Sequence, residues 1–142
     1  MAYDFSKLHP EVQKKGQELL EKCGARGLPI RITDCVRTKA EQDALYAQGR
    51  TEPGSIVTNA RYPQSNHCWG IAFDFCRDDG KGAYNTEGNY FEKVGAVGKS
   101  IGLFWGGDFD TILDRPHFEY RKFGVWADLE TKYGTPERFF AS

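Results

Sequence analysis

A strictly alternating run at residues 71–76, Ile-Ala-Phe-Asp-Phe-Cys, most constrains what this chain can fold into. Alternation with a period of two is typical of a β-strand, and it places Ile71, Phe73 and Phe75 on one face. Asp74 then lies on the opposite face of an apolar strand. A carboxylate there is costly unless it is paired or binds a metal, so we expect either such a role or hydrogen bonds from loop amides.

The first third of the chain predicts two helices with a strand between them. Apolar residues at helical spacing predict a helix over residues 9–24, and alternation predicts a strand over residues 28–37. Thr38 and Glu41 have the spacing of a capping box, so a second helix begins there and ends at Gly49.

The rest of the chain mixes short strands, helices and polar loops. The predicted segments are loops over 50–66 and 77–89, a helix over 91–101, short strands at 103–105 and 116–120, and a final helix after residue 124. Because strands and helices do not alternate regularly, we expect an α+β fold with a small antiparallel sheet flanked by helices.

Composition excludes several classes of protein. The 142 residues fit one domain, and 19 basic against 20 acidic residues argue against a general nucleic-acid binder. The sequence has neither a run of 18 apolar residues nor an apolar N-terminal segment, so we expect no membrane span and no signal peptide. None of the four cysteines has C-x-x-C spacing, which argues against a zinc ribbon and favours reduced thiols.

Two of the three histidines stand beside candidate strands. His9 precedes a helix-starting proline and is predicted to be a solvated capping residue. His67 comes shortly before the strand that carries Asp74, and His117 begins another strand. Two imidazoles and one carboxylate form the three-ligand set of a catalytic zinc site, which leaves a fourth position for water.

A zinc hydrolase also needs a base for the attacking water, and two carboxylates flank His117. Asp114 lies three residues before it, and Glu119 shares its predicted strand face. The spacing does not decide between them. Cys68 and Cys76 are also close to the predicted ligands, but we expect them to be packing thiols because a catalytic site keeps an open position.

Three spaced motifs resemble a known family. The run SNHCWGIAFD matches the Ser-x-His-x-x-Gly-x-Ala-x-Asp pattern of the VanY-like D-alanyl-D-alanine carboxypeptidases, the LAS group of zinc peptidases. DRPH resembles the family's second element, an acidic residue before the last zinc histidine, and VRTKAEQDALYAQGR resembles its arginine-plus-helix element. Between residues 28 and 121, the chain is most similar to phage endolysins that cut the L-alanyl–D-glutamate bond.

The resemblance assigns roles that the spacing leaves open, including a zinc site on the sheet. The implied residues are the zinc ligands His67, Asp74 and His117; the general base Asp114; the carbonyl or oxyanion contact Arg37; Ser65, which hydrogen-bonds within the site or to substrate; and the substrate contact Gln42. Asp114 stands where many family members have glutamate, although the similar phage enzymes also use aspartate.

The predicted function is therefore zinc-dependent hydrolysis of the L-alanyl–D-glutamate bond in the peptidoglycan stem peptide. A D-alanyl-D-alanine carboxypeptidase and a non-catalytic, zinc-stabilised wall-binding module are the alternatives. We expect residues 1–142 to form a single catalytic domain without a wall-binding module. We also expect a monomer without nucleic-acid or membrane partners, made in the bacterial cytoplasm and acting on the wall after phage-type release.

Overall fold

The computed structural model describes residues 5–142 and contains helices and strands in mixed order. The helices are α1 (Pro10–Ala25), α2 (Lys39–Ala47), α3 (Tyr90–Ser100), α4 (Trp126–Tyr133) and α5 (Pro136–Phe140). The strands are β1 (Ile30–Asp34), β2 (Ala72–Arg77), β3 (Phe104–Trp105) and β4 (His117–Glu119). Among the described residues, no helix combines the length and the apolar character that a bilayer crossing requires.

The four strands form one antiparallel sheet in the order β1-β2-β4-β3. This confirms the predicted α+β class and its small antiparallel sheet. The register pairs Asp74 of β2 directly with His117 of β4. Directly opposed residues lie about 4.5–5.5 Å apart, so the pairing brings two predicted site residues together through backbone geometry alone.

The two faces of the sheet divide by polarity as the alternation predicts. Phe73, Phe75 and Phe118 are fully buried in the main core, where α1 and α3 also contribute. The rings of Phe75 and Phe118 stack with centroids 5.3 Å apart. Ile71 differs from the prediction, because it precedes β2 and packs with Trp69 in a second core cluster.

The predicted helix starts agree with the structure, and the predicted first strand is too long. The Thr38 side chain accepts the Glu41 amide at 3.2 Å, while Glu41 accepts the Thr38 amide at 3.0 Å, which confirms the capping box. Strand β1 ends at Asp34, before the predicted end at residue 37. Beyond it the Arg37 amide donates to the carbonyl of His67 at 3.0 Å, so this backbone turns toward the site instead of extending the sheet.

The C-terminal segment forms two helices where one is predicted. Gly134 takes φ 81° and ends α4, after which Thr135 caps α5 and Pro136 occupies its first turn. A positive φ is readily accessible to glycine, and proline at a helix start loses no hydrogen bond. The four cysteines are buried thiols, as the sequence predicts.

The close approach of α3 to the sheet provides a stability test. A Cβ at Gly98 would collide with the Phe118 ring, whereas a Cβ at Gly24 in α1 meets no atom within 4 Å. We expect Gly98→Ala to lower the free energy of unfolding by about 1–3 kcal/mol through overpacking. Gly24→Ala should raise it by up to about 1 kcal/mol through helix propensity. Urea unfolding measures both, and equal effects from the two variants would contradict the packing described here.

Candidate metal centre and cleft

His67 reaches the polar face of the sheet from a short 3-10 turn, Asn66–Trp69, that immediately precedes β2. Ser65 caps this turn, because its side-chain oxygen accepts the amide of His67 at 3.3 Å. Gly70 ends the turn in the left-handed region with φ 68°, and a Cβ there would lie 2.8 Å from the Phe140 ring. Glycine therefore allows the abrupt change from turn to strand that places His67 beside Asp74.

The three predicted ligands converge on one point. One ligand atom from each of His67, Asp74 and His117 lies within 4.8 Å of the other two. Asp74 Oδ1 is 3.3 Å from His67 Nε2 and 3.0 Å from His117 Nδ1. Tetrahedral zinc with ligands at about 2.0–2.1 Å would space its donor atoms about 3.3 Å apart, so the separations fit such an ion.

Each imidazole has an inner nitrogen that faces Asp74 and an outer nitrogen that faces away from it. The partners of the two outer nitrogens indicate why a cation is favoured between the inner ones. His67 Nδ1 is 2.9 Å from the carbonyl oxygen of Cys35, and His117 Nε2 is 2.8 Å from a Glu119 carboxylate oxygen. Both partners can only accept, so both outer nitrogens carry a proton. In neutral imidazoles the inner nitrogens then present bare lone pairs to the Asp74 carboxylate, and these three donors repel unless protons or a metal ion lie between them.

The charge distribution around the cluster also favours a cation. Burial disfavours the charged form of His117, but the Asp74 and Glu119 carboxylates outweigh it and raise its pKa to about 9. Burial alone would raise the pKa of Asp74, yet the adjacent imidazoles lower it well below its ordinary value. The site is therefore built to hold positive charge among its donors.

Glu119 is buried beside His117 and contributes to the wall of the cleft that the cluster opens into. It is 2% exposed, and both of its oxygens are engaged: one by His117 Nε2 at 2.8 Å and the other by Arg121 Nε at 2.7 Å. The Arg121 guanidinium in turn lies 3.5 Å from the centroid of the Phe104 ring. This chain of contacts fixes the imidazole so that Nδ1 faces Asp74.

Asp114 occupies a different position, at the open side of the cluster. Its Oδ2 is 4.0 Å from His117 Nδ1, and its side chain is 50% exposed. Its amide donates to the Gly106 carbonyl at 2.9 Å, and its own carbonyl accepts the His117 amide at 3.1 Å. Burial and the nearby Asp74 carboxylate raise the pKa of Asp114.

Arg37 belongs to a polar network on the other side of the cluster. Its Nε donates to Asp34 at 3.0 Å, and its Nη1 donates to the side-chain oxygen of Gln42 at 3.3 Å. The Gln42 amide nitrogen donates to the carbonyl of Ala60 at 2.7 Å. Gln42 thus joins the arginine to the long segment that follows α2.

Gln42 lies on the helix that follows Arg37, as expected, but it points into the protein. Its side chain is fully buried, so it offers no surface to a substrate in this structure. The physical reason is its position on the inner face of α2, where its amide satisfies Arg37 and a backbone carbonyl at once. These contacts suit Gln42 to positioning Arg37, and its contact with a substrate stays a prediction.

The cluster opens into a cleft of about 420 Å³. The residues singled out by the sequence that line it are Arg37, Ser65, His67, Asp114, His117 and Glu119. Sequence reasoning missed other parts of its wall, among them Val57, Phe109 and Trp126. Trp126 begins α4, and its backbone amide donates to the Asn66 side chain at 2.8 Å. Val57 and Phe109 lie outside helices and strands, and isolated apolar residues carry no spacing signal that could have identified them.

Comparison with known proteins agrees with this geometry. Residues 58–120 match a family described as D-alanyl-D-alanine carboxypeptidase. The chain is 38% identical over 124 residues to the peptidoglycan L-alanyl-D-glutamate endopeptidase CwlK of Bacillus subtilis (strain 168), covering 80% of this chain and 74% of CwlK. It is 30% identical over 128 residues to the L-alanyl-D-glutamate peptidase of Listeria phage A118, covering 86% of this chain and 42% of that enzyme.

A solved structure shares the fold at low sequence identity. The vancomycin-resistance D,D-pentapeptidase VanY from a VanB-type cassette, solved in complex with Zn(II), superimposes with a TM-score of 0.61 at 16% identity. The match covers 93% of this chain and 83% of VanY.

The buried Gln42 bridge gives the second prediction. Gln42→Leu keeps the volume similar but leaves the Ala60 carbonyl and one Arg37 donor without their partner, so we expect a loss of about 1–3 kcal/mol in the free energy of unfolding. Residues 50–62 should also become easier to cleave by limited proteolysis. Gln17→Leu on the exposed face of α1 is the control and should change stability by less than about 0.5 kcal/mol. Equal stability and proteolysis in the two variants would contradict the bridging role.

Proposed function

Because the chain belongs to the VanY-like family of zinc peptidases, we propose that it hydrolyses the L-alanyl–D-glutamate bond of the peptidoglycan stem peptide. The observation that carries the proposal is the cluster of His67, Asp74 and His117 at the base of an open cleft. The choice of this bond is supported by the similarity to CwlK and to the phage peptidase, whose names specify an L-alanyl-D-glutamate bond.

We propose that the cluster holds zinc through His67 Nε2, Asp74 Oδ1 and His117 Nδ1. The bare lone pairs of the two inner nitrogens and the carboxylate supply the donor set that zinc prefers. When bound, zinc acidifies a water molecule and polarises the scissile carbonyl.

In this proposal, the Asp114 carboxylate moves the proton during the reaction. Its half-exposed side chain lines the cleft beside His117. It accepts a proton from the attacking water, and it then delivers that proton to the amine nitrogen as the peptide bond breaks. The products are one free carboxylate and one free amine, so the reaction consumes one water and leaves Asp114 in its starting state.

Arg37 supports the developing negative charge on the carbonyl oxygen. Nε and Nη1 are engaged by Asp34 and Gln42, which orients the guanidinium and leaves other N–H groups for the cleft that it lines. Guanidinium is a fixed, permanently charged donor, and such a donor stabilises an oxyanion. The Ser65 hydroxyl also lines the cleft and is proposed to contact the substrate.

Glu119 is the less suitable base, although it shares a strand with His117. Both of its oxygens already accept hydrogen bonds, and it is 2% exposed. A general base must come within hydrogen-bond reach of the proton that it abstracts. We therefore assign Glu119 to orienting His117 and Asp114 to proton transfer.

The bond that is cut can be identified by mass spectrometry of fragments released from defined peptidoglycan. We expect new N-terminal D-glutamate, or D-isoglutamine in amidated walls, and no free D-alanine. Stoichiometric release of D-alanine would identify a carboxypeptidase, in keeping with the family description. A zinc-loaded protein that binds the wall without releasing any fragment would be a binding module and would contradict catalysis.

A matched pair of variants distinguishes the roles of the two carboxylates near His117, Asp114 and Glu119. Asp114→Asn should retain zinc and fold but lose about 10²–10⁴-fold in turnover, because general-base catalysis contributes about that much. Glu119→Gln should weaken zinc binding by about 10–100-fold, because the amide cannot satisfy both His117 and Arg121. Zinc content and rate are measured on the same samples. A zinc-loaded Glu119→Gln without activity beside an active Asp114→Asn would reverse the assignment.

A further inference from the structure

A second cavity, of about 650 Å³, lies between α2 and the segment that follows it. Tyr46 from α2 lines it, together with Arg50, Arg61 and Tyr62 from the following segment. None of these residues has a role in the reaction proposed above. The cavity is larger than the cleft that contains the metal cluster, which measures about 420 Å³.

The cavity and the cleft share a wall. Thr58 and Ala60 line the cleft, whereas the next two residues, Arg61 and Tyr62, line the cavity. In α2, Leu45 lines the cleft, and the next residue, Tyr46, lines the cavity. Tyr46 is four residues beyond Gln42, the partner of Arg37, so the two lie on one helix face about 6 Å apart along the axis.

The cavity carries a positive charge that the protein does not neutralise. The guanidinium carbons of Arg50 and Arg61 lie 3.9 Å and 4.8 Å from the centroid of the Tyr46 ring. Asp43 also lines the cavity, but Lys39 pairs with it at 2.6 Å. Glu137 interacts with the Tyr62 hydroxyl and is one further negative charge near the lining. Two guanidiniums against this one carboxylate leave the local balance positive, in a chain whose net charge is -1.

The two arginines differ in how they are held. Arg50 donates to the carbonyls of Tyr46 and Thr58 at 2.6 Å and 3.0 Å and to the Asn59 side chain at 2.9 Å, so it fixes the segment to α2. Arg61 is exposed and stacks on Tyr46, and within residues 5–142 its guanidinium has no hydrogen-bond or ion-pair partner. An aromatic ring restrains the guanidinium plane while its N–H groups stay available to an anion.

We propose that this cavity is a subsite in which Arg61 binds a carboxylate of the stem peptide on the C-terminal side of the cleaved bond. The inference rests on the proposed function, because it takes the stem peptide as substrate. On the N-terminal side of that bond lies one alanine in amide linkage, so the carboxylates of the peptide lie on the other side. Because adjacent residues line the cleft and the cavity, and an extended chain spans about 3.3–3.6 Å per residue, we place the bound carboxylate on one of the first two residues beyond the bond.

The test measures binding apart from turnover. The zinc-loaded Asp114→Asn protein is titrated by calorimetry with L-alanyl-γ-D-glutamyl-diaminopimelyl-D-alanine and with two copies of that peptide, one amidated at the glutamate carboxylate and the other at the diaminopimelate side-chain carboxylate. We expect one of the two amidations to weaken binding by about fivefold to tenfold, the range of a charge-assisted contact in a partly exposed site. The amide that weakens binding identifies which carboxylate is bound.

Arg61→Gln, added to the same protein, should weaken binding of the acidic peptide by a similar factor and remove the difference between acid and amide. Arg26→Gln, an exposed arginine at the end of α1, is the matched control and should keep both the affinity and the difference. An Arg61→Gln protein that still prefers the acid, or a parent that never prefers it, would overturn the subsite.

Failure of the subsite and failure of the proposed function give different results. If the unmodified enzyme cleaves peptidoglycan while Arg61→Gln leaves the acid preference intact, the function stands and the subsite is wrong. If the unmodified enzyme releases no fragment while the acid preference depends on Arg61, the subsite stands and the proposed reaction is wrong.

Discussion

The convergence of three electron-pair donors on one point is the constraint on which the rest of this structure depends. Asp74 Oδ1 lies 3.3 Å from the inner nitrogen of His67 and 3.0 Å from that of His117, and each outer nitrogen is turned to an acceptor. Such an arrangement is repulsive unless protons or a metal ion lie between the donors, so the fold must hold the donors in place. The direct pairing of Asp74 with His117 in the sheet, which packs against a core of phenylalanines, fixes their positions.

The carboxylates around the cluster show how position alone gives one functional group several roles. Asp74 is enclosed between two imidazoles and is kept ionised by them. Glu119 is buried, and His117 and Arg121 occupy its two oxygens, which suits it to orienting a ring. Asp114 is half-exposed at the mouth of the cleft, where a proton can be accepted and released. Burial and hydrogen-bond occupancy separate these roles where sequence spacing could not.

Much of the fold and the ligand set could be predicted because local patterns encode them. Alternation placed Phe73 and Asp74 on opposite faces of a strand, and the Thr38–Glu41 spacing located a helix start. The burial of Gln42 could not be predicted, because it depends on contacts with Arg37 and Ala60, which come from different parts of the chain. The carbonyl of Cys35 that orients His67 is a backbone atom, and no side-chain pattern can reveal it.

The most direct test of this account is a crystal structure of the zinc-loaded protein with data collected at the zinc absorption edge. We expect one anomalous peak bound by His67 Nε2, Asp74 and His117 Nδ1 at about 2.0–2.2 Å, with both outer nitrogens still hydrogen-bonded to Cys35 and Glu119. Zinc bound through His117 Nε2, or bound away from these three residues, would contradict the account.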